Sequence, residues 1–141
     1  MDSISKILCL ILVLLLQLKG KITATPILPT KVSVEITNKL NMKHLIVNCK
    51  DKHNNLGVIE LYVNETYTFR FYPNYIFPQT LYFCHFTWLY NDHHFDIYVE
   101  YRDLWCTHNV CSWEIFENGP CKIKPESRQC FSWDKVYAKI K

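Results

Sequence analysis

Histidines and cysteines are the residues of this 141-residue chain most able to carry chemistry, and their spacing decides how much. His93, His94 and Asp96 lie close enough to suggest a metal site, yet adjacent histidines on an extended chain point to opposite faces. No His-x-x-x-His or other strong ligand spacing accompanies them, so they read as a solvated turn and no metal is expected. Cys106, His108, Cys111, Cys121 and Cys130 form a set that a cytosolic protein folds around zinc, but the leader described below argues for an oxidising compartment and for disulfides. His44 and His85 sit in strand-like runs and could meet across a sheet as hydrolase residues. No nucleophile elbow, glycine-rich loop or carboxylate pair supports that, so no catalytic residue and no cofactor are expected. Tyr72, Tyr75, Phe77 and Tyr82 have the makings of a sugar-stacking platform, and read better as core and loop anchors.

The leader is Ile7 to Leu16, ten unbroken apolar residues preceded by Lys6. It is shorter than the roughly 20 residues a bilayer span needs, and it leads to Gly20 and Ala24 as cleavage residues. Residues 1–24 are therefore expected to be a signal peptide cut after Ala24, and 25–141 a single secreted domain without a transmembrane span. Removing Lys6, Lys19, Lys21 and Asp2 leaves 13 basic against 12 acidic residues. A chain so nearly neutral has no global field for nucleic acid. Lys122, Lys124, Arg128, Lys135, Lys139 and Lys141 leave a local basic bias, expected to be a solvated tail. Cys9 leaves with the leader, and Cys49, Cys84, Cys106, Cys111, Cys121 and Cys130 remain as disulfide candidates. Six cysteines allow about 15 connectivities, which the sequence does not rank. Asn64-Glu65-Thr66 matches the N-glycosylation acceptor at an expected turn.

The elements that would position these residues are strands. Thr80 to Trp88 is almost wholly aromatic, β-branched or cysteine and reads as a central strand, its two faces both largely apolar and Cys84 offering a tether to a second layer. Clean alternation marks Lys31 to Thr37, Lys43 to Lys50, Thr66 to Tyr72, Phe95 to Tyr101 and Val110 to Phe116; Leu56 to Tyr62 is an apolar run whose Gly57 suggests a bulge. Asn91 to His94 reads as a turn, and the pattern fades after Cys121. With only Gly57 and Gly119 beyond the leader, tight turns must lean on Asn and Asp. Short strands between frequent turns, without a helix of ordinary length, predict an all-β fold: a small, disulfide-stapled antiparallel β-sandwich of about seven to eight strands, with a barrel as the alternative. The core is expected over 31–121, with 122–141 as a C-terminal tail.

The order of several motifs carries a resemblance. Val34-Glu35-Ile36-Thr37-Asn38 with Leu40, Val47-Asn48-Cys49-Lys50, Asn55-Leu56-Gly57, Tyr67-Thr68-Phe69-Arg70-Phe71, Thr80-Leu81-Tyr82-Phe83-Cys84, Phe95-Asp96-Ile97-Tyr98, Cys111-Ser112-Trp113-Glu114-Ile115 and Gly119-Pro120-Cys121 follow in sequence. The series resembles the plant self-incompatibility S-protein family, the S-protein homologues, over about residues 32–121. The resemblance implies a secreted, non-catalytic β-sandwich that acts as an extracellular signalling ligand for a cell-surface receptor. Defence or glycan binding at the wall is the alternative function. Where the family often carries acidic residues before Leu56-Gly57, this chain has His53-Asn54-Asn55, and Cys130 is less typical of the family. Recognition would then fall on three inter-strand loops, with Asp51, His53 and Asn54 in the first, Asn91, Asp92, His93 and His94 in the second, and Asp103, His108 and Asn109 in the third.

Overall fold

The computed structural model of the chain describes residues 2–17, 29–74, 76–77 and 79–133. Among the described residues nine strands form two sheets around one apolar core: β1 (Val32–Asn38), β2 (Leu45–Lys50), β3 (Asn55–Leu61), β4 (Thr66–Phe71), β5 (Leu81–Trp88), β6 (Asn91–Val99), β7 (Val110–Phe116), β8 (Gly119–Lys124) and β9 (Ser127–Cys130). One sheet has the order β4-β1-β7-β8-β9, the other β3-β2-β5-β6. Neighbours run antiparallel except β1 and β7, which are parallel. The fold is thus the all-β sandwich that the alternation predicts, in two separate sheets rather than a barrel. An N-terminal helix, α1 (Ser3–Gln17), has no buried residue, and among the described residues no helix is long and apolar enough to cross a membrane. Gly20 and Ala24 lie outside the described residues.

Alternation in sequence becomes alternation in burial. Val34 and Ile36 of β1, Val47 and Cys49 of β2, Cys84 and Phe86 of β5, and Trp113 and Ile115 of β7 fill the space between the sheets. The strand ends define two poles. Segments 39–44, 62–65, 89–90 and 117–118 lie at one, and 51–54, 72–74, 79–80, 100–109 and 125–126 at the other. Wholly buried Asn38 joins the sheets at the first pole. Its Nδ2 donates to Lys43 O (2.8 Å) and Leu61 O (2.9 Å), and its Oδ1 accepts from Leu40 N (2.9 Å). Every polar atom of that side chain is thereby used, as burial demands.

Four expectations change. Asn91 to His94 is not a turn but the start of β6; the chain reverses at Leu89 and Tyr90, and Tyr90 takes a positive φ of 62° without being Gly, Asn or Asp. Cys84 does not reach a second layer, because it bonds Cys49 directly opposite on β2 of its own sheet. Only one face of β5 is deeply buried, since a two-layer sandwich leaves the outer face of each sheet toward solvent: Tyr82, Cys84, Phe86 and Trp88 point in, while Phe83, His85 and Thr87 are half-buried. After Cys121 the chain continues as β8 and β9, closed by a Cys121–Cys130 disulfide, and Phe131 and Trp133 pack on the core. β9 has only exposed residues and so carries no alternation to read. The remaining disulfide is Cys106–Cys111. Gly57 does lie at an irregularity, with φ of 87° where the β2–β3 register shifts.

Gly119 opens β8 at φ 148°, and a Cβ there would collide with the carbonyl oxygen of Phe131. Gly119→Ala is expected to destabilise the fold by about 2–4 kcal/mol, combining backbone strain with overpacking, as measured by chemical denaturation.

Candidate functional site

The second pole holds the loop of 100–109, whose anchoring starts with a residue expected to be exposed. Asp103 is buried to 1 % exposure, so it is not a surface recognition residue. Its sequence surroundings are polar, but two cations drawn from different elements neutralise it inside the protein. Lys122 of β8 donates from Nζ to Oδ1 at 2.6 Å, and Arg102 donates from Nη2 to Oδ2 at 2.7 Å. The Val99 N–H adds a bond to Oδ2 at 2.8 Å. Arg102 in turn lies over the rings of Trp113, Phe95 and Phe131, at 5.0, 5.3 and 5.6 Å from their centroids, and donates to Asp96 O. The short helix α2 (Glu100–Asp103) is thereby fixed between the sheets.

Beyond that anchor the chain projects outward. Tyr101 is 84 % and Trp105 90 % exposed. The Cys106–Cys111 disulfide closes the loop five residues along, and His108 and Asn109 hold positive φ values of 52° and 60°. Two large aromatic side chains therefore stand in water on backbone that is crosslinked and ion-paired at its base. The sequence marks 103–109 as a loop but does not single out Trp105 or Tyr101, because an aromatic residue is by default read as core.

The three expected loops do not converge. Asp51, His53 and Asn54 share the second pole with 100–109, whereas Asn91 to His94 start from the first. Asp51 is occupied with its own loop: its carboxylate accepts from the His53 and Asn54 N–H groups, the Asn54 amide and the Tyr82 hydroxyl. Partial burial pushes its carboxyl up, but those bonds outweigh it and hold the group below the usual value. On β6, His93 turns inward against Trp88 and Trp133, while His94 and Asp92 face outward. A cleft of about 630 Å3 at the second pole is lined by Tyr72, Asn74 and Phe77 together with Tyr82. Of the residues expected as core and loop anchors, Tyr82 is buried while Tyr72 and Phe77 are exposed, so only these two could serve a stacking surface; Tyr75 lies outside the described residues.

Comparison with known proteins fits this geometry. The family model for plant self-incompatibility protein S1 matches residues 33–133, from the start of β1 through the β8–β9 hairpin to Trp133. The chain belongs to that family. It is 40 % identical over 118 residues to S-protein homolog 2 of Arabidopsis thaliana, covering 77 % of this chain and 73 % of that one. It is 36 % identical over 100 residues to S-protein homolog 5 of the same plant, covering 71 % and 76 %, and 36 % identical over 107 residues to S-protein homolog 19, covering 75 % and 79 %.

In this S1-family chain the acceptor Asn64 occupies an exposed turn at the first pole, with φ 69° and its Oδ1 accepting from Lys39 Nζ at 3.0 Å. The basic residues are divided. Lys122 is buried on Asp103, Lys124 and Arg128 belong to the β8–β9 hairpin, and Lys135, Lys139 and Lys141 lie outside the described residues.

Removing the carboxylate of Asp103 strands two cations. Asp103→Ala is expected to cost about 3–5 kcal/mol of stability in denaturant titration. Tyr82 gives an alkaline signature: burial, then the negative Asp51 beside it, pushes its hydroxyl up to about 12. Its folded pKa exceeds the unfolded value near 10, so its contribution is intact below about pH 10 and is lost as pH rises toward 12. Tyr82→Phe should flatten that alkaline decline in melting temperature.

Proposed function

We propose that this S1-family protein is a secreted, non-catalytic ligand that binds a cell-surface receptor, with Trp105 at the centre of the contact and Tyr101 beside it. The observation that carries the reading is the exposure of Trp105 on a loop whose base is fixed by Asp103 and by the Cys106–Cys111 disulfide. Tryptophan and tyrosine dominate binding hot spots, and a loop ordered before it meets its partner loses little entropy on docking. Secretion is supported by the apolar leader, to be removed as residues 1–24, and by three disulfides, which persist in oxidising compartments. Domain 25–141 would be the mature ligand, glycosylated at Asn64, whose pole faces away from Trp105. The non-catalytic reading is supported by the way the deepest carboxylate and its cations, Asp103 with Arg102 and Lys122, are consumed in holding the sheets together.

The cleft bearing Tyr72, Asn74 and Phe77 favours a second reading, binding to a wall glycan by ring stacking. One experiment separates the two. Labelled protein should bind plant protoplasts saturably, binding should disappear when the cell surface is treated with protease, and Trp105→Ala should weaken it by at least about tenfold while the melting temperature stays within a few degrees. Binding to isolated walls that resists protease, ignores Trp105→Ala and is lost in Tyr72→Ala would replace the receptor reading with the glycan one.

A further inference from the structure

The outer face of the four-stranded sheet brings together three groups that sequence spacing alone does not. His85 of β5 and His94 of β6 are direct cross-strand partners, and Asp92 lies two residues before His94 on the same face. Alternation along a strand and pairing across it place such a trio on neighbouring positions of one surface, with cross-strand Cβ atoms about 5 Å apart. His85 Nε2 lies 2.6 Å from Asp92 Oδ1, and His94 Nδ1 lies 3.9 Å from the same oxygen. The two imidazoles stack with centroids 4.3 Å apart and planes 8° from parallel. One ligand atom from each of the three residues falls within 4.8 Å of the others.

We propose that His85, Asp92 and His94 form a three-ligand site for a divalent transition-metal ion of the zinc and copper class. Two imidazole nitrogens and one carboxylate oxygen form a donor set that suits these borderline ions, whereas calcium and magnesium call for shells of oxygen. The ion would bridge β5 and β6 and leave its remaining position to solvent, since the sheet face is open above it. Ligand atoms around such an ion lie about 3.3 Å apart, so the trio must contract. Parallel rings cannot both hold one ion in their planes, and binding therefore turns one imidazole out of the stack. His94 is free to do so, because its side chain is 70 % exposed. The strands themselves need not move: β5 is locked to β2 by Cys49–Cys84 and joined to β6 by the two-residue turn at Leu89 and Tyr90. His93 does not compete, since its ring is stacked on Trp133 at 4.7 Å on the inner side. The site differs from the sequence grouping of His93, His94 and Asp96: register replaces His93 with His85, and Asp96 with Asp92.

The test is calorimetric titration of the disulfide-bonded protein, free of any histidine tag, with zinc chloride, alongside NMR of the imidazole C–H resonances. A single site is expected, with shifts confined to His85 and His94 and none at His44, whose ring is paired with Glu60. His85→Ala, His94→Ala and Asp92→Asn should each weaken binding at least about tenfold, or about 1.4 kcal/mol, while His44→Ala and Asp96→Asn leave it unchanged. All five side chains are exposed or half-buried, so the variants should keep the parent melting temperature. Magnesium should give no heat. Absence of zinc binding at about 1 mM, affinity unchanged in both His85→Ala and His94→Ala, or equal binding of magnesium would each overturn the site.

Discussion

A buried carboxylate facing two cations holds one end of this sandwich together. Asp103 receives Arg102 from its own short helix, Lys122 from the five-stranded sheet and the backbone N–H of Val99 from the four-stranded one. None of these charges would survive burial alone, because each would lose its hydration without replacement. Together they neutralise one another, and Arg102 also lies on three aromatic rings of the core. Hydrophobic contact between two sheets is non-directional and leaves their sliding poorly specified. The Asp103 knot at one pole and the Asn38 side chain at the other add direction, since each is satisfied in a single relative placement of the sheets.

That division of labour frees the surfaces. With the sheets pinned internally, Cys49–Cys84 tying β2 to β5 and the other two disulfides closing local segments, the outer face of the four-stranded sheet and the loop beyond Asp103 can carry residues that contribute little to folding. Trp105 and Tyr101 occupy one such surface and the His85–Asp92–His94 trio the other. The two lie on different parts of the molecule, and a protein built this way can vary its exposed side chains without disturbing its core.

Much of the fold was legible because period-two alternation is a strong signal in half-buried strands. Val110 to Phe116 was delimited to the residue, and the motif order placed the chain in its family. The failures share a physical origin in distant partners. Asp103 looks exposed until Lys122, 19 positions later, is seen beside it. Strict alternation from Phe95 and Ile97 would put Tyr98 on the outer face, yet a register shift opposite Tyr82 and Phe83 buries it next to Ile97. The reversal at Leu89 and Tyr90 carries no glycine or asparagine at its positive-φ position, so the polar run that follows drew the turn two residues too far along. The histidine and aspartate trio depends on strand register, which local sequence does not encode until the turn is known.

The parallel pairing of β1 with β7 has a consequence for how the chain is made. Of the described strands, β1 leaves the ribosome first and its antiparallel partner β4 is complete by Phe71, but its other edge waits for Val110 to Phe116. Through that interval a strand of Val32, Val34 and Ile36 presents unpaired backbone on one side. Contacts so distant in sequence form slowly, because the entropy of closing a long loop is lost before the contacts offset it. The β5–β6 hairpin and the five-residue Cys106–Cys111 bridge are local and can form within their own stretches of chain. The five-stranded sheet can therefore be completed only after Phe116 has been made, and until then one edge of β1 stays open for pairing.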